Sequence, residues 1–340
     1  MGRKEYSVHK KTMNLEAMIN ATGNLNIEDL LYDCRPLFVV YKNGRVDRFV
    51  GTDEVPPSVD SITGVESKDV VIDSETGVYV RLYKPRDIEK VGVLVYIHGG
   101  AFCVASASSP EYHNYLNNLS FKVNMIVVSI NYRNAPEYPL PIGYEDSWAA
   151  FKWVFETNHD ESWLRDHADL SRVYMAGESA GANIVHNLAK RVKKQGDKTL
   201  ESRVTYPLKG IVLVNPYFWG THRIGSEEKK IKPTGFNSLH DKVWMIACPE
   251  SSGLDDPRLN PEMDHELEDL GVDKILVTVA EFDVLRDRGF YYKDLLLKSG
   301  WNGDINVIET FGEDHVFHLF NPDSPKAVEL MNQINEFLNS

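Results

Sequence analysis

Three features are scarce or absent in this 340-residue sequence, and each absence narrows the class of protein. No apolar run approaches the roughly 18 residues that a membrane-spanning helix requires. The first 30 residues, which begin MGRKEYSVHKK, contain no apolar segment of the kind found in secretory signals. Lys and Arg are scattered through a chain of net charge −13, so the sequence predicts neither nucleic acid nor a membrane as a partner.

Cysteine is also rare. Cys34, Cys103 and Cys248 lie far apart in the sequence, a spacing that indicates neither a disulfide framework nor a zinc site. Low cysteine use favours a reducing compartment. We therefore expect a cytoplasmic protein without a metal site, and no pattern indicates its oligomeric state.

The strand patterns change along the chain. LFVVYKNGRVDRFV predicts a hairpin around Asn43-Gly44, a residue pair that favours type I′ turns, and KDVVIDSETGVYVRLYKP predicts a second antiparallel pair. After Lys90 the strand-like runs are short, continuously apolar and rich in Val and Ile, which is typical of parallel strands buried on both faces. These runs are VGVLVYI, NMIVVSINY, SRVYMAG, GIVLVNP and KILVTVAEFD.

Helical patterns separate the apolar runs. They include GYEDSWAAFKWVFE, ANIVHNLAKRVKK and the closing SPKAVELMNQINEFLNS. We predict an α/β fold with a mostly parallel central sheet flanked by helices and antiparallel strands at its N-terminal edge, formed as one domain over residues 1–340. Residues 219–263 are irregular and predict a partly helical lid.

GESAGAN, residues 177–183, follows an apolar run and precedes a helical pattern. Gly177 and Gly181 flank Ser179 at two residues on either side, as a sharp turn from strand to helix requires. Such a turn exposes the serine hydroxyl above a helix N-terminus, which favours developing negative charge. Ser179 is therefore the candidate nucleophile, although a serine in an ordinary tight turn has the same pattern.

YIHGGAF follows the apolar run that ends at Ile97. Consecutive glycines allow a main chain to approach a substrate, and acyl transfer needs backbone N–H donors for an oxyanion. Gly99, Gly100 and Ala180 are the predicted donors. A simple glycine turn after a strand is the alternative.

An acid and a base are predicted at two further strand ends. Asp283 follows KILVTVA and could orient an imidazole; Glu281 is a rival, and Asp287 is better suited to satisfying N–H groups at the start of a helix. His315 follows INVIETF, while His318 in VFHLF is expected to be packed or capping. The remaining histidines, such as His113, His186 and His265, are expected to be surface or core residues.

The order nucleophile, acid, histidine is the order of α/β-hydrolases. HGGAFC, YRNAPEYPLP, YEDSWAAFKW, GESAGAN and NPYFWG make residues 35–338 resemble plant carboxylesterases of the hormone-sensitive-lipase group. The nearest branch is that of 2-hydroxyisoflavanone dehydratase and the tuliposide-converting enzymes. The resemblance implies a Ser179–Asp283–His315 triad, an oxyanion loop at residues 98–100 and a cap built from about 1–30 and about 219–263. Ala101 and Asn134 depart from the usual glycine and leucine.

The resemblance implies a serine carboxylesterase that hydrolyses small esters through an acyl-enzyme, without a cofactor. Dehydratases or cyclases that use the pocket without acylation remain alternatives, as does a sensor like the gibberellin receptors. Those receptors lack the histidine, which is present here as His315. Aromatic residues are compatible with a bulky, apolar or aromatic specialised metabolite, or with simple packing: Phe102, Tyr217, Phe218, Trp219 and Trp244.

Overall fold

The computed structural model describes residues 29–156, 160–196, 206–230 and 238–340. The chain divides into two compact units, Met1–Val50 and Gly51–Ser340. Residues 1–28, which contain most of the predicted N-terminal cap segment, lie outside the described residues. The single domain over 1–340, with its cap, stays a prediction.

The first unit contains a three-stranded antiparallel sheet of β1 (Leu30–Cys34), β2 (Phe38–Tyr41) and β3 (Val46–Arg48). The hairpin predicted around Asn43-Gly44 is confirmed, but its turn is not type I′. Gly44 has a φ of 87° and Asn43 has no positive φ, whereas type I′ needs both. Tyr41 N donates to Arg45 O, so the loop is longer than two residues.

The second unit contains an eight-stranded sheet in the order β11-β10-β9-β8-β6-β7-β5-β4. The six strands from β11 to β7 run parallel, and β5 and β4 add an antiparallel edge. The predicted α/β architecture is therefore confirmed. The strands are β4 (Glu66–Asp73), β5 (Val78–Lys84), β6 (Val91–Ile97), β7 (Ile126–Asn131), β8 (Ala168–Glu178), β9 (Leu208–Val214), β10 (Lys274–Ala280) and β11 (Asp304–Thr310).

Helices connect the strands and cover the sheet. Every residue of β6 is buried, as its continuous apolar sequence predicts. The last helix begins where Ser324 accepts from Ala327 N at 3.2 Å and Pro325 takes the first position. The helices are α1 (Pro110–Val123), α2 (Ile142–Trp153), α3 (Ser162–His167), α4 (Ala180–Gly196), α5 (Glu227–Lys230), α6 (Leu239–Ala247), α7 (Arg286–Ser299), α8 (Phe317–Phe320) and α9 (Pro325–Leu338).

Residues 219–263 are partly helical, as predicted, with α5, α6 and a 3₁₀ turn at Pro261–Met263. Residues 231–237 lie outside the described residues. A buried ion pair joins this segment to α7: Arg288 Nε lies 2.7 Å from Glu227 Oε1, and the side chains are 3% and 0% exposed. Of the helices in the described ranges, none has both the length and the apolar character needed to cross a bilayer.

Strand register brings the ends of the parallel strands to one edge. Gly177 pairs with Ile97 on one side and with Leu213 on the other, and Ala280 pairs with Thr310. Because parallel strands place their carboxyl ends together, the loops that follow these residues converge there. All four predicted site motifs lie in these loops.

Candidate active site

Ser179 occupies a strained turn between β8 and α4. Its φ is 52°, in the left-handed region that costs a non-glycine residue about 1–3 kcal/mol. Two backbone hydrogen bonds hold this conformation: Ser179 N donates to Val214 O at 2.8 Å, and Ser179 O accepts from Tyr217 N at 3.0 Å. The side chain lies at the N-terminus of α4, as the sequence predicts.

Both glycines of the turn are required by close contacts. A Cβ on Gly181 would overlap the carbonyl oxygen of Ile97 and lie 2.5 Å from that of His98. A Cβ on Gly177 would lie 2.5 Å from the carbonyl carbon of Gly181. The start of α4 is therefore packed directly against the end of β6.

Ser179, His315 and Asp283 form one hydrogen-bonded line. His315 Nε2 is 3.0 Å from Ser179 Oγ, and His315 Nδ1 is 2.7 Å from Asp283 Oδ2. Asp283 accepts further hydrogen bonds from Asn215 Nδ2 at 3.0 Å and from Leu285 N at 2.9 Å. This is the geometry of a nucleophile, a base and an orienting acid.

Charge and burial determine the pKa values of His315 and Asp283. Burial would lower the pKa of His315, but the charge of Asp283 and its hydrogen bond raise that pKa to about 9. Burial would raise the pKa of Asp283, but the imidazole and the Leu285 amide lower it below its ordinary value. The pair therefore favours an ionised carboxylate beside an imidazole that binds its proton firmly.

The rivals for acid and base have other partners. Glu281 Oε2 accepts from Gly312 N at 2.7 Å and so braces the turn before His315. Asp287 lies in the first turn of α7, but the expected bond to its own helix is wrong: it accepts from Ser226 N at 2.6 Å, because residues 219–230 lie against that helix.

The other histidines play no part in the line. His318 is packed, as predicted: it is 1% exposed, and its ring lies 5.0 Å from that of Tyr115. Burial lowers the pKa of His318 to about 3. His113 and His186 are core residues, 7% and 0% exposed.

The loop predicted to bind the oxyanion differs from the prediction at one position. Gly99 N donates to Tyr112 Oη at 2.9 Å, so this amide already has an acceptor and the prediction for Gly99 is wrong. In the described part of the chain, the amides of Gly100, Ala101 and Ala180 have no protein acceptor. Ala101 has a φ of 56°, and no sequence signal marked it as a donor.

Asn134, the departure from leucine, supports the same loop. Its Nδ2 donates to Ala105 O at 2.8 Å, and the next residue, Ala135, donates its amide to Phe102 O at 2.9 Å. The loop between β6 and α1 is thus held by the segment that follows β7.

The five predicted substrate-binding aromatics do not form one group. Phe102 packs edge-on against Tyr217 and Trp244, with ring centroids 5.7 and 6.0 Å away. Phe218 instead packs on Tyr292 of α7, 4.8 Å away, which makes it a core residue. Trp219 is fully buried and donates from Nε1 to an acidic residue of α6 at 2.6 Å.

Two side chains near the site were not selected from the sequence. Asn183 Nδ2 donates to Tyr217 O and Arg258 O, at 3.0 and 2.8 Å, and so ties α4 to the chain just before the 219–263 segment and to a residue near its end. His240 of α6 stacks on Trp219 at 4.8 Å, and burial lowers its pKa to about 4. No sequence pattern distinguished either residue from ordinary polar helix positions.

Glu178 is a buried acid directly before Ser179, the candidate nucleophile. It is 2% exposed. Burial raises its pKa to about 7, although the charge of His315 and a hydrogen bond from Tyr112 oppose this shift.

The residues that the structure describes contain no group of three or more His, Cys, Asp or Glu able to hold a metal ion.

A family model described as alpha/beta hydrolase fold matches residues 94–319. Probable carboxylesterase 2 of Arabidopsis thaliana is 45% identical over 89% of this chain and 95% of its own length. A 2-hydroxyisoflavanone dehydratase of Glycyrrhiza echinata is 39% identical over 94% and 100%. A solved esterase of Pyrobaculum calidifontis has a TM-score of 0.65 and 27% identity over 80% of this chain and 84% of its own.

The chain therefore belongs to the α/β-hydrolase family, in the branch that contains plant carboxylesterases, tuliposide-converting enzymes and 2-hydroxyisoflavanone dehydratase. The resemblance noted in the sequence is confirmed.

Gly181→Ala should abolish activity and lower the midpoint of thermal unfolding by several degrees, because the new methyl group must displace the end of β6. Gly143→Ala is the matched control. Its Cβ would meet side-chain atoms at 3.3 and 3.4 Å near the start of a helix, so the midpoint should change little. Circular dichroism melts of both variants, with ester hydrolysis assays, test this; a Gly181→Ala protein with normal stability and rate would refute it.

If His315 acts as a base, kcat/KM for ester hydrolysis should rise with pH. Only the neutral imidazole can take the proton, and the pKa of His315 is about 9. The inflection in kcat/KM should lie well above 6.5, the ordinary value. Asp283→Asn should move the inflection to lower pH and reduce the plateau by roughly 10³- to 10⁴-fold. Asp287→Asn, the same substitution four residues further on in the first turn of α7, should leave the inflection in place. If the inflection stays at the same pH in Asp283→Asn, the assignment of Asp283 as the partner of His315 is contradicted.

Proposed function

We propose that this chain is a serine carboxylesterase acting through an acyl-enzyme. The observation that carries the proposal is the hydrogen-bonded line from Ser179 Oγ through His315 to Asp283. Similarity to proteins named as carboxylesterases and esterases supports the same reaction class.

In the first half-reaction, Ser179 Oγ attacks the ester carbonyl carbon while His315 Nε2 takes the hydroxyl proton. The tetrahedral intermediate collapses when the bond to the alcohol oxygen breaks, and His315 returns the proton to that oxygen. Asp283 stabilises the imidazolium in between, and its carboxylate stays ionised. The products of this half-reaction are the free alcohol and an ester on Ser179.

In the second half-reaction, water attacks the acyl carbon and gives its proton to His315. The proton then passes to Ser179 Oγ as the acid leaves, which restores the resting site. Neither half-reaction requires a metal or an organic cofactor, because the three side chains supply the nucleophile, the base and the orienting charge.

We infer that the amides of Gly100, Ala101 and Ala180 bind the oxyanion. All three lie at the strand ends beside Ser179 and have no acceptor in the described protein. Each preorganised donor is worth about 3–4 kcal/mol of transition-state stabilisation. The amide of Gly99 does not belong to this set, because it donates to Tyr112 Oη.

We infer the substrate class from the aromatic cluster of Phe102, Tyr217 and Trp244. Tyr217 lies next to the nucleophile, because its amide binds Ser179 O. Aromatic rings packed together near the serine are compatible with bulky or aromatic acyl or alcohol groups, and an ester of a specialised metabolite is the proposed natural substrate. A cap built from about 1–30 and about 219–263 and a cytoplasmic location remain predictions from the sequence.

A fluorophosphonate probe should label the wild-type protein at Ser179, and the protein should hydrolyse p-nitrophenyl acetate. Ser179→Ala should lose both, because only the alkoxide of this residue can form the adduct. Intact-mass spectrometry measures labelling, and absorbance measures hydrolysis. A wild-type protein that neither labels nor hydrolyses would favour the non-acylating alternatives, a dehydratase or a ligand sensor.

His315→Ala should lower kcat by roughly 10⁴-fold or more, since it removes the base. His318→Ala is the matched control: its ring is buried three residues away but hydrogen-bonds to nothing in the described structure. Its kcat should stay within about tenfold, with some loss of stability from the cavity. Equal losses of kcat would mean that the wrong base has been assigned.

A further inference from the structure

Three buried groups form a second hydrogen-bonded line behind the nucleophile. Gly99 N donates to Tyr112 Oη at 2.9 Å, and Tyr112 Oη donates in turn to the Glu178 carboxylate, 3.2 Å from Oε1 and 3.1 Å from Oε2. The line thus runs from the oxyanion loop, through α1, to the residue directly before Ser179. The triad does not use any of these groups.

Burial of the Glu178 carboxylate is energetically unfavourable. The side chain is 2% exposed, no cation pairs with it in the described chain, and its single side-chain donor there is Tyr112. Burying a carboxyl group with one hydrogen-bond donor and no ion pair is unfavourable for its charged form, and burial here raises the pKa of Glu178 to about 7. A simple packing role would be filled at lower cost by an apolar residue of the same size.

Contact between Gly99 and Glu178 is close enough to fix the position of the loop. A Cβ on Gly99 would overlap Glu178 Oε1, so the main chain of the loop rests on the carboxylate itself. A second phenol holds the other side of the same peptide, since Tyr132 Oη donates to His98 O and Gly99 O, both at 3.2 Å. The Tyr132 ring also stacks on His98 at 4.4 Å.

Holding Gly99 determines where the next amides lie. A peptide plane is rigid, so a hydrogen bond at Gly99 N and another at Gly99 O leave little freedom to the N–H of Gly100. The positive φ values of Gly100 and Ala101, 95° and 56°, then set the direction of the following amide. The loop is preorganised by contacts that lie outside the triad.

We propose that Tyr112 and Glu178 are positioning residues that hold the oxyanion loop in its transition-state geometry. The inference rests on the proposed esterase function. Preorganised donors act on the transition state more than on the bound ester. Losing the line should therefore reduce kcat and leave KM nearly constant.

Tyr112→Phe removes the shared hydroxyl and keeps the ring. We expect kcat to fall about 10- to 100-fold, less than for outright removal of a donor, with KM within about threefold. The Ki of an aryl trifluoromethyl ketone, which forms a tetrahedral adduct with serine, should rise by the same factor as kcat/KM falls. Tyr115→Phe is the matched control: the residue lies on the same helix and packs on Tyr96 and His318, and its kcat and Ki should match wild type.

Glu178→Gln and Glu178→Leu separate hydrogen bonding from size. The amide oxygen of Gln can still accept from Tyr112, so Glu178→Gln should retain kcat within about tenfold of wild type. Leu cannot accept, so Glu178→Leu should lose as much as Tyr112→Phe. Should the Leu variant fail to fold, Tyr112→Phe and Glu178→Gln still decide the question.

Two outcomes would overturn the inference. In the first, Tyr112→Phe has wild-type kcat and Ki. In the second, kcat falls while the Ki of the ketone is unchanged, which would show a structural loss unrelated to the oxyanion. Failure of the proposed function looks different, because the wild-type protein itself would then bind no trifluoromethyl ketone and hydrolyse no ester.

Discussion

The contact between Gly181 and the end of β6 is the constraint on which the site depends. Because no Cβ intervenes, the first turn of α4 lies against the carbonyls of Ile97 and His98. The same contact places the turn at Ser179 beside the loop that begins at His98, which is the proposed oxyanion loop. Strain at Ser179 is held by hydrogen bonds to β9 and to the loop after it. The proposed nucleophile and the proposed oxyanion donors thus share one rigid support.

The two buried acids of the site, Asp283 and Glu178, differ in their surroundings and therefore in their pKa values. Asp283 accepts hydrogen bonds from Asn215, Leu285 and His315, and these bonds keep it ionised. Glu178 receives a hydrogen bond from a single phenol, and burial raises its pKa to about 7. The two carboxylates therefore suit different work. In the proposed mechanism, Asp283 stabilises the imidazolium that forms during the reaction, and Glu178 holds the backbone proposed to bind the oxyanion.

Sequence patterns predicted the features of the fold and site that depend on residues close together in the chain. Continuous apolar runs marked the parallel strands, and the chain order of the motifs placed Ser179, Asp283 and His315 at strand ends that the structure brings together. Contacts across long sequence separations were beyond such patterns. Tyr112 takes the amide of Gly99 from a helix 13 residues away, and this changes which amides are available. Tyr217 and Phe218 are adjacent aromatics, but their rings pack in different clusters.

A crystal structure of the protein after reaction with a p-nitrophenyl alkylphosphonate tests the central claim most directly. The account predicts phosphorus bonded to Ser179 Oγ and a phosphonyl oxygen about 2.7–3.1 Å from the amides of Gly100, Ala101 and Ala180. The Gly99 amide should remain on Tyr112. An adduct on another residue, or a phosphonyl oxygen bound by the Gly99 amide with Tyr112 displaced, would contradict it.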